Sequence, residues 1–374
     1  MNTQPQITLV EDPHELRTLR NRLATQEIVF VDTEFHAENR YFPKLMLLQI
    51  ASVDGDVWLV DPLKINPEPL GAAMRKMTIV CHSGTEDVKL LYRALGLIPE
   101  KYFDVQVAAG ILGLHYPMNL ETLAKNFTDE QISKGESLTD WSQRPLKENQ
   151  IEYATQDSRI LIAIYQKQCV LLREQQKEEW AWAASEELLS NALKPKYAGL
   201  DWLEWNVAGS LDLPTQRVLT RLLTWREELA ERKNKPPKYL LPRSSALYLA
   251  KRRPDCLSQI QNRRINRHFL KKYGRDVIRV IRDGVDDTDT FTLLSEQEKV
   301  IVSLLRSWAL ILSEEMNINA QVLLPNPIAK AIAKDGKIGL RGWRTKLFGD
   351  RLLMFLHGRE YISFHQGQPV IQRR

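Results

Sequence analysis

Cysteine is scarce in this 374-residue chain: Cys81, Cys169 and Cys256 are scattered, odd in number and never paired as CxxC. That argues against a disulfide framework and against a thiolate zinc site, and it fits a reducing, cytoplasmic setting. Long apolar runs are missing too. The nearest approach to a membrane span, Ile301 to Leu312, is interrupted by Arg306, so no membrane partner is expected. The start, MNTQPQITLV, lacks a basic segment followed by an apolar stretch, so no signal peptide is expected. No short-period repeat occurs. The one weak sign of duplication is that residues 213–290 and 295–374 each read as short helices with Pro-containing loops.

What is present is an ordinary globular mixture, 43% apolar and 26% charged, in a length that suits two or three domains. The net charge of +5 conceals an asymmetry. Residues 1–190 hold 19 Lys+Arg against 28 Asp+Glu, whereas residues 191–374 hold 33 against 19. The excess concentrates between Arg217 and Arg282, with 19 basic and 5 acidic residues. An acidic half joined to a basic half points to a metal-binding or catalytic part beside a part that holds a polyanion.

The first half reads as α/β. Glu27 to Phe35 (EIVFVDTEF), Leu45 to Val53 (LMLLQIASV), Val57 to Asp61 and Thr78 to His82 are short, apolar, β-rich runs. A helix is expected near Pro69 to Lys76. Helical spacing of Val88, Leu91 and Leu95, then of Ile151, Ala154, Ile160 and Ile164, predicts further helices from Gly84 onward. This order makes a layered α/β design with the sheet covered by helices. The second half reads as all-helical, with helices over Leu213 to Lys233, Ser244 to Arg252, Arg263 to Asp283 and Ser295 to Met316. Breaks are expected near Lys194 to Asp201 and near Asp283 to Leu294.

The sharpest local feature is Asp32-Thr33-Glu34 at the end of an apolar strand. Side chains at i and i+2 of a strand share a face, so Asp32 and Glu34 project together. Adjacent carboxylates resist ionisation unless a cation lies between them. Asp87 follows the strand Thr78 to His82 at the start of a helix, and Tyr153 and Asp157 sit four apart on one helix face. If Asp32, Glu34, Asp87 and Asp157 converge, they offer hard oxygen donors suited to two Mg²⁺ or Mn²⁺ ions and poorly suited to zinc. Each residue also has a plainer reading. Asp32 and Glu34 fit a solvated strand end, Asp87 a partner of the helix dipole, Tyr153 a half-buried core aromatic, and Asp157 a solvated helix face.

The runs VDTEFHAENRYFPKLMLLQIA, HSGTEDVKLL, FDVQVAAG and KGESLTDWSQRPLKENQIEYATQDSRIL resemble the exonuclease motifs of ribonuclease D, in the right order. That family belongs to the DEDD exonuclease superfamily, in the branch with Tyr in the third motif. The resemblance spans residues 25–170 and implies an RNase H-like exonuclease domain over residues 1–195, a mixed sheet flanked by helices. It implies Asp32, Glu34, Asp87, Tyr153 and Asp157 as the catalytic residues, with the four carboxylates as ligands of two Mg²⁺ (or Mn²⁺) ions. The basic stretch resembles the HRDC domain, a small helical nucleic-acid-binding module. All-α helical-bundle domains are thereby implied at residues 211–290 and, as a weaker second copy including LRGWRTKLFGDRLLMFLHG, at residues 295–374. One departure is Ser158, where the family often has an aliphatic residue.

The implied activity is 3′-5′ exoribonuclease cleavage of tRNA precursors and other small structured RNAs by a monomer, releasing nucleoside 5′-monophosphates by two-metal-ion hydrolysis. Asp32 and Asp157 would hold the ion that activates water, Asp32 with Glu34 and Asp87 the ion at the leaving 3′ oxygen, and Tyr153 would orient the water. Arg263, Arg264, Arg267, Lys271 and Lys272 are expected to contact RNA phosphates, so that residues beyond Leu200 supply affinity without chemistry. Two other functions compete: a 3′-5′ DNA exonuclease, and a non-catalytic RNA-binding protein that keeps the fold. The HRDC-like tail favours RNA over DNA, and the complete carboxylate set argues against the inactive protein. His82 reads as a site-lining residue or a structural hydrogen-bonder, and Asp104 as a site residue or a helix cap. Lys134, Trp141 and Arg144 read as substrate contacts, with Trp141 equally suited to be a packing anchor.

Overall fold

The computed structural model describes residues 5–130, 135–136, 139–194, 198–260, 265–283, 293–335, 340 and 342–374. The chain divides into two compact units: residues 1–36, 45–194 and 294–374 form the first, and residues 37–44 with 195–293 form the second.

A six-stranded mixed sheet organises the first unit. Its order is β1 (Ile7–Val10), β4 (Val57–Val60), β3 (Lys44–Ser52), β2 (Ile28–His36), β5 (Thr78–Cys81) and β6 (Lys101–Asp104). β4 runs parallel to β1 and antiparallel to β3, while β5 runs parallel to both β2 and β6. The central strand β2 is buried on both faces, which is why its sequence is a continuous apolar run up to Val31. Val29 and Val31 enter one core with α1 (Pro13–Leu23), α2 (Pro69–Met74) and α3 (Thr85–Leu95). Phe30 enters the other, with α4 (Val105–Ile111), α5 (Leu120–Phe127), α6 (Glu148–Glu174) and α7 (Glu178–Leu193). The four strands legible in the sequence correspond to β2–β5. The four-residue strands β1 and β6 add one edge each.

The second unit packs α8 (Leu213–Lys233), α9 (Pro237–Leu240), α10 (Arg243–Arg252) and α11 (Arg267–Arg282) around Leu219, Leu222, Leu249 and Val277. Asp212 caps the start of α8, and Asn234 ends it in the left-handed region at φ 46°. The same Asn234 accepts hydrogen bonds from the backbone N–H groups of Tyr41 (3.1 Å) and Phe42 (2.9 Å). The Tyr41 hydroxyl donates to Glu227 at 2.9 Å. These bonds explain why residues 37–44, which follow β2 in the chain, fold with the second unit. α11 starts at Arg267 behind an Asn266 cap, and Arg263 and Arg264 lie outside the described residues.

The last segment, residues 294–374, belongs to the first unit. It is helical through α12 (Glu296–Met316), α13 (Ala320–Leu323), α14 (Asn326–Asp335) and α15 (Trp343–Leu356). It ends in an element the all-α reading did not contain, a hairpin of β7 (Glu360–His365) and β8 (Gln368–Arg373). Trp308, Leu312 and Val322 share a core with Phe103, Ala108 and Ile111. The approach to α4 is close: a Cβ at Gly110 would stand 2.5 Å from Val322 Cγ2, and the Asn319 N–H donates to the Gly110 carbonyl at 2.7 Å. Arg344 is ion-paired with Glu187, and Lys177 Nζ donates to the Asn317 carbonyl at 2.7 Å. Trp308 Nε1 donates to the fully buried carboxylate of Glu360 at 3.1 Å. Among the described residues no helix is long and apolar enough to cross a membrane.

The expectation that everything beyond Leu200 is dispensable for chemistry is therefore corrected, because removing it strips part of the core beneath α4. Two outcomes are expected. Trp308→Ala costs the first unit about 3–5 kcal/mol, read in urea unfolding. A chain ending at Leu200 gives no cooperative unfolding transition; a native-like transition from it would contradict this packing account.

Candidate active site

Strand β2 delivers the first two acids. Asp32 and Glu34 alternate with the buried Val31 and Thr33 and the half-buried Phe35, and they share the face of Phe30, the face that α6 covers. His36 continues the same face, and its Nε2 lies 3.6 Å from an Asp140 carboxylate oxygen. The sequence pattern was not enough to single out His36 by chemistry, although the two-residue period places it beside the acids.

Asp87 comes from the first turn of α3, where a negative charge is favourable. The turn between β5 and α3 is tightly fixed. A Cβ at Gly84 would stand 2.4 Å from the Tyr102 hydroxyl and 2.7 Å from Cys81 Cβ, so only glycine fits. Asp104, fully buried at the end of β6, accepts from the Gly84 N–H (3.0 Å) and the Tyr102 hydroxyl (3.1 Å). It also caps α4 by accepting from the N–H groups of Gln106 (2.9 Å) and Val107 (3.1 Å). Four donors on one carboxylate make Asp104 the anchor of the turn that presents Asp87, so the helix-cap reading holds. Asp87 itself accepts a hydrogen bond from the Thr33 hydroxyl at 2.5 Å.

Helix α6 supplies the third pair. Tyr153 and Asp157 lie one turn apart, Asp157 is buried, and the Tyr153 hydroxyl donates to its carboxylate. The Tyr153 ring leans on Trp141, with centroids 6.2 Å apart.

The electrostatics tie these residues into one group. Burial pushes Asp32 well above the usual carboxylate range, and the neighbouring charges of Asp87, Asp157 and Glu34 push it further. Glu34 is raised to about 8 by burial and then by Asp157 and Asp87. Asp87 and Asp157 are each raised to about 6 by burial, against the opposing hydrogen bonds from Thr33 and Tyr153. Among the described residues no three such side chains already close on one metal-sized point. Like charges repel, and Asp87 and Asp157 each take a hydroxyl partner instead. The donor set, four carboxylates without thiolate or imidazole, suits a hard divalent cation.

Three of the other residues, His82, Trp141 and Arg144, make structural bonds. His82 Nε2 lies 2.9 Å from the Met118 carbonyl, a structural hydrogen bond, and burial lowers its pKa. Trp141 is fully buried and donates from Nε1 to the Glu136 carbonyl, a packing anchor. Arg144 turns inward. It pairs with the fully buried Asp61 at 2.5 Å and donates to the Met46 and Trp141 carbonyls, each at 2.8 Å. Those bonds occupy its guanidinium and correct the expectation that it touches substrate. Lys134 lies outside the described residues. Arg267, Lys271 and Lys272 stand exposed on α11 in the second unit, where Arg267, Lys271, Arg275 and Arg279 recur every four residues along one face.

Comparison with known proteins bears on the fold and the activity. Residues 7–172 match the 3′-5′ exonuclease family, and residues 215–281 match the HRDC domain family. Ribonuclease D of Bartonella henselae is 28% identical over 96% of this chain and 91% of its own. Ribonuclease D of Xanthomonas oryzae is 32% identical over 67% of this chain and 69% of its own. The crystal structure of Escherichia coli RNase D superposes with a TM-score of 0.83, covering 95% of this chain and 98% of that one at 20% identity. Exonuclease folds of this kind work with divalent metal ions, and the four carboxylates fit that requirement.

Asp32→Asn removes an acid whose charged form is opposed by burial and by three neighbouring carboxylates. It is expected to raise the melting temperature measured in chelator, by about 2–4 °C for each kcal/mol of repulsion relieved. A lower melting temperature in chelator would mean that Asp32 is a structural acid.

Proposed function

Since this chain belongs to the ribonuclease D family of 3′-5′ exoribonucleases, we propose that it trims tRNA precursors and other small structured RNAs from their 3′ ends. The proposed form is a cytoplasmic monomer. The observation that carries this reading is the convergence of Asp32, Glu34, Asp87 and Asp157, with Tyr153 on the same helix face as Asp157. The four carboxylates are the proposed ligands of two Mg²⁺ (or Mn²⁺) ions. When bound, the ions supply Lewis acidity at the scissile phosphate and lower the pKa of the attacking water.

The chain's own residues then do three things. Asp32 and Glu34, spaced two residues apart on β2, would hold the ions against which the terminal phosphodiester lies. Tyr153 keeps its proton, because burial first and the nearby carboxylates second raise its pKa. Its O–H donates to Asp157, so its oxygen lone pairs are left to accept a hydrogen bond from the attacking water and orient it. Water adds across the P–O3′ bond, releasing a nucleoside 5′-monophosphate and an RNA one residue shorter with a free 3′ hydroxyl. In the second unit, the exposed basic face of α11 gives Arg267, Lys271 and Lys272 the placement of phosphate-binding side chains. Arg263 and Arg264 precede that helix and extend the same run of charge.

The test is incubation of the purified protein with a 3′-extended tRNA precursor and with a DNA strand of matched sequence, each with Mg²⁺ and with chelator. Nucleoside 5′-monophosphates from RNA alone, and only with Mg²⁺, are expected; preference for the DNA strand would overturn the RNA assignment. In the same assay Asp157→Asn is expected to abolish cleavage. Tyr153→Phe slows the single-turnover rate by ~10²–10⁴-fold with RNA affinity unchanged. A changed affinity at an unaltered rate would make Tyr153 a binding residue. Reversing Lys271 and Lys272 to Glu lowers the slope of log affinity against log salt by about 1 for each phosphate no longer neutralised. An unchanged slope would place the RNA elsewhere.

A further inference from the structure

Strand alternation puts Thr33 on the opposite face of β2 from Asp32 and Glu34. Val29 and Val31, on the Thr33 side, pack with Val88 and Leu91 of α3 in one core, whereas Phe30, on the acids' side, packs with Ala154 and Leu161 of α6 in the other. Asp87 therefore approaches the site from the α3 side, and Thr33 is the β2 side chain that meets it there. Thr33 and Asp87 are both buried, and the hydroxyl donates to Asp87 Oδ1 at 2.5 Å. That bond fixes one carboxylate oxygen and the rotation of the group. Oδ2, which Thr33 does not engage, is the oxygen that would meet a cation.

We propose that Thr33 is a positioning residue for the metal site, setting the rotation of Asp87 from behind the catalytic strand. The inference rests on the reading of the four carboxylates as metal ligands. It gives the Asp-Thr-Glu segment a division of labour: its two acids face the metals directly, and the hydroxyl between them acts through Asp87. A valine in this place would keep the shape, the β-branching and the strand preference of threonine. What it lacks is the donor.

The test is calorimetric titration of Mn²⁺ into the full chain, without RNA, for the wild type, Thr33→Val, Thr33→Ser and Asp87→Asn, with melting temperatures taken in chelator. Loss of a hydrogen-bond partner behind a metal ligand weakens metal binding ~10–100-fold, so Thr33→Val should show that loss while still unfolding cooperatively in chelator. Thr33→Ser should restore wild-type affinity. Wild-type affinity in Thr33→Val beside a weakened Asp87→Asn overturns the role of Thr33 and leaves the metal site standing. Wild-type affinity in Asp87→Asn as well overturns Asp87 as a ligand and the inference with it. A melting temperature lowered in Thr33→Val, with serine failing to restore binding, makes Thr33 a structural residue and overturns the proposal.

Discussion

Burying carboxylates beside one another costs free energy through lost hydration and again through mutual repulsion. Asp32, Glu34, Asp87 and Asp157 carry both costs, and much of the first unit is arranged to hold them against that tendency. β2 is fastened in two cores at once, so the pair it carries cannot move apart. Asp104 gathers four donors to fix the turn that carries Asp87. Arg144 clamps the block before α6 to the buried Asp61 and to β3 through the Met46 carbonyl. Trp141 backs the Tyr153 ring. A divalent cation, which exonuclease folds of this kind use, would remove that repulsion.

The C-terminal segment contributes to the same rigidity at a distance from the chemistry. Its helix α12 and the Val322 side chain seal α4, the helix that Asp104 caps. The second unit is built differently, around a small leucine-rich core with charge spread over its surface. It also captures residues 37–44, the stretch that follows β2, through Asn234 and Glu227. The chain is thus interleaved: a piece from its first half completes the second unit, and residues 294–374 complete the first.

That Asp32, Glu34, Asp87, Tyr153 and Asp157 come together was legible because periodicity and motif agree. Asp32 and Glu34 follow from the two-residue period of a strand whose apolar run is unmistakable, and Tyr153 with Asp157 from the four-residue period of a helix. Asp104 and His82 carried two readings until hydrogen-bond partners distinguished them. Thr33 gave no signal because alternation turns it away from the acids, and only the third dimension brings Asp87 round to it. β1 and β6 were too short to stand out, and their partners are distant in sequence. The final hairpin was missed by the all-α reading; in the structure Gln366 and Gly367, at φ 49° and 80°, form a tight turn between YISF and PVIQ. The union of residues 294–374 with the first unit rests on packing such as that of Gly110 against Val322, which no local pattern encodes.

The most direct test is crystallographic. Anomalous difference density from a crystal grown with Mn²⁺ should show metal ligated by Asp32 together with Asp157, and a neighbouring peak reached by Glu34 and Asp87. Density confined to other residues, or no peak at Asp32 with the ion saturating, would contradict the claim that these four carboxylates exist to hold metal.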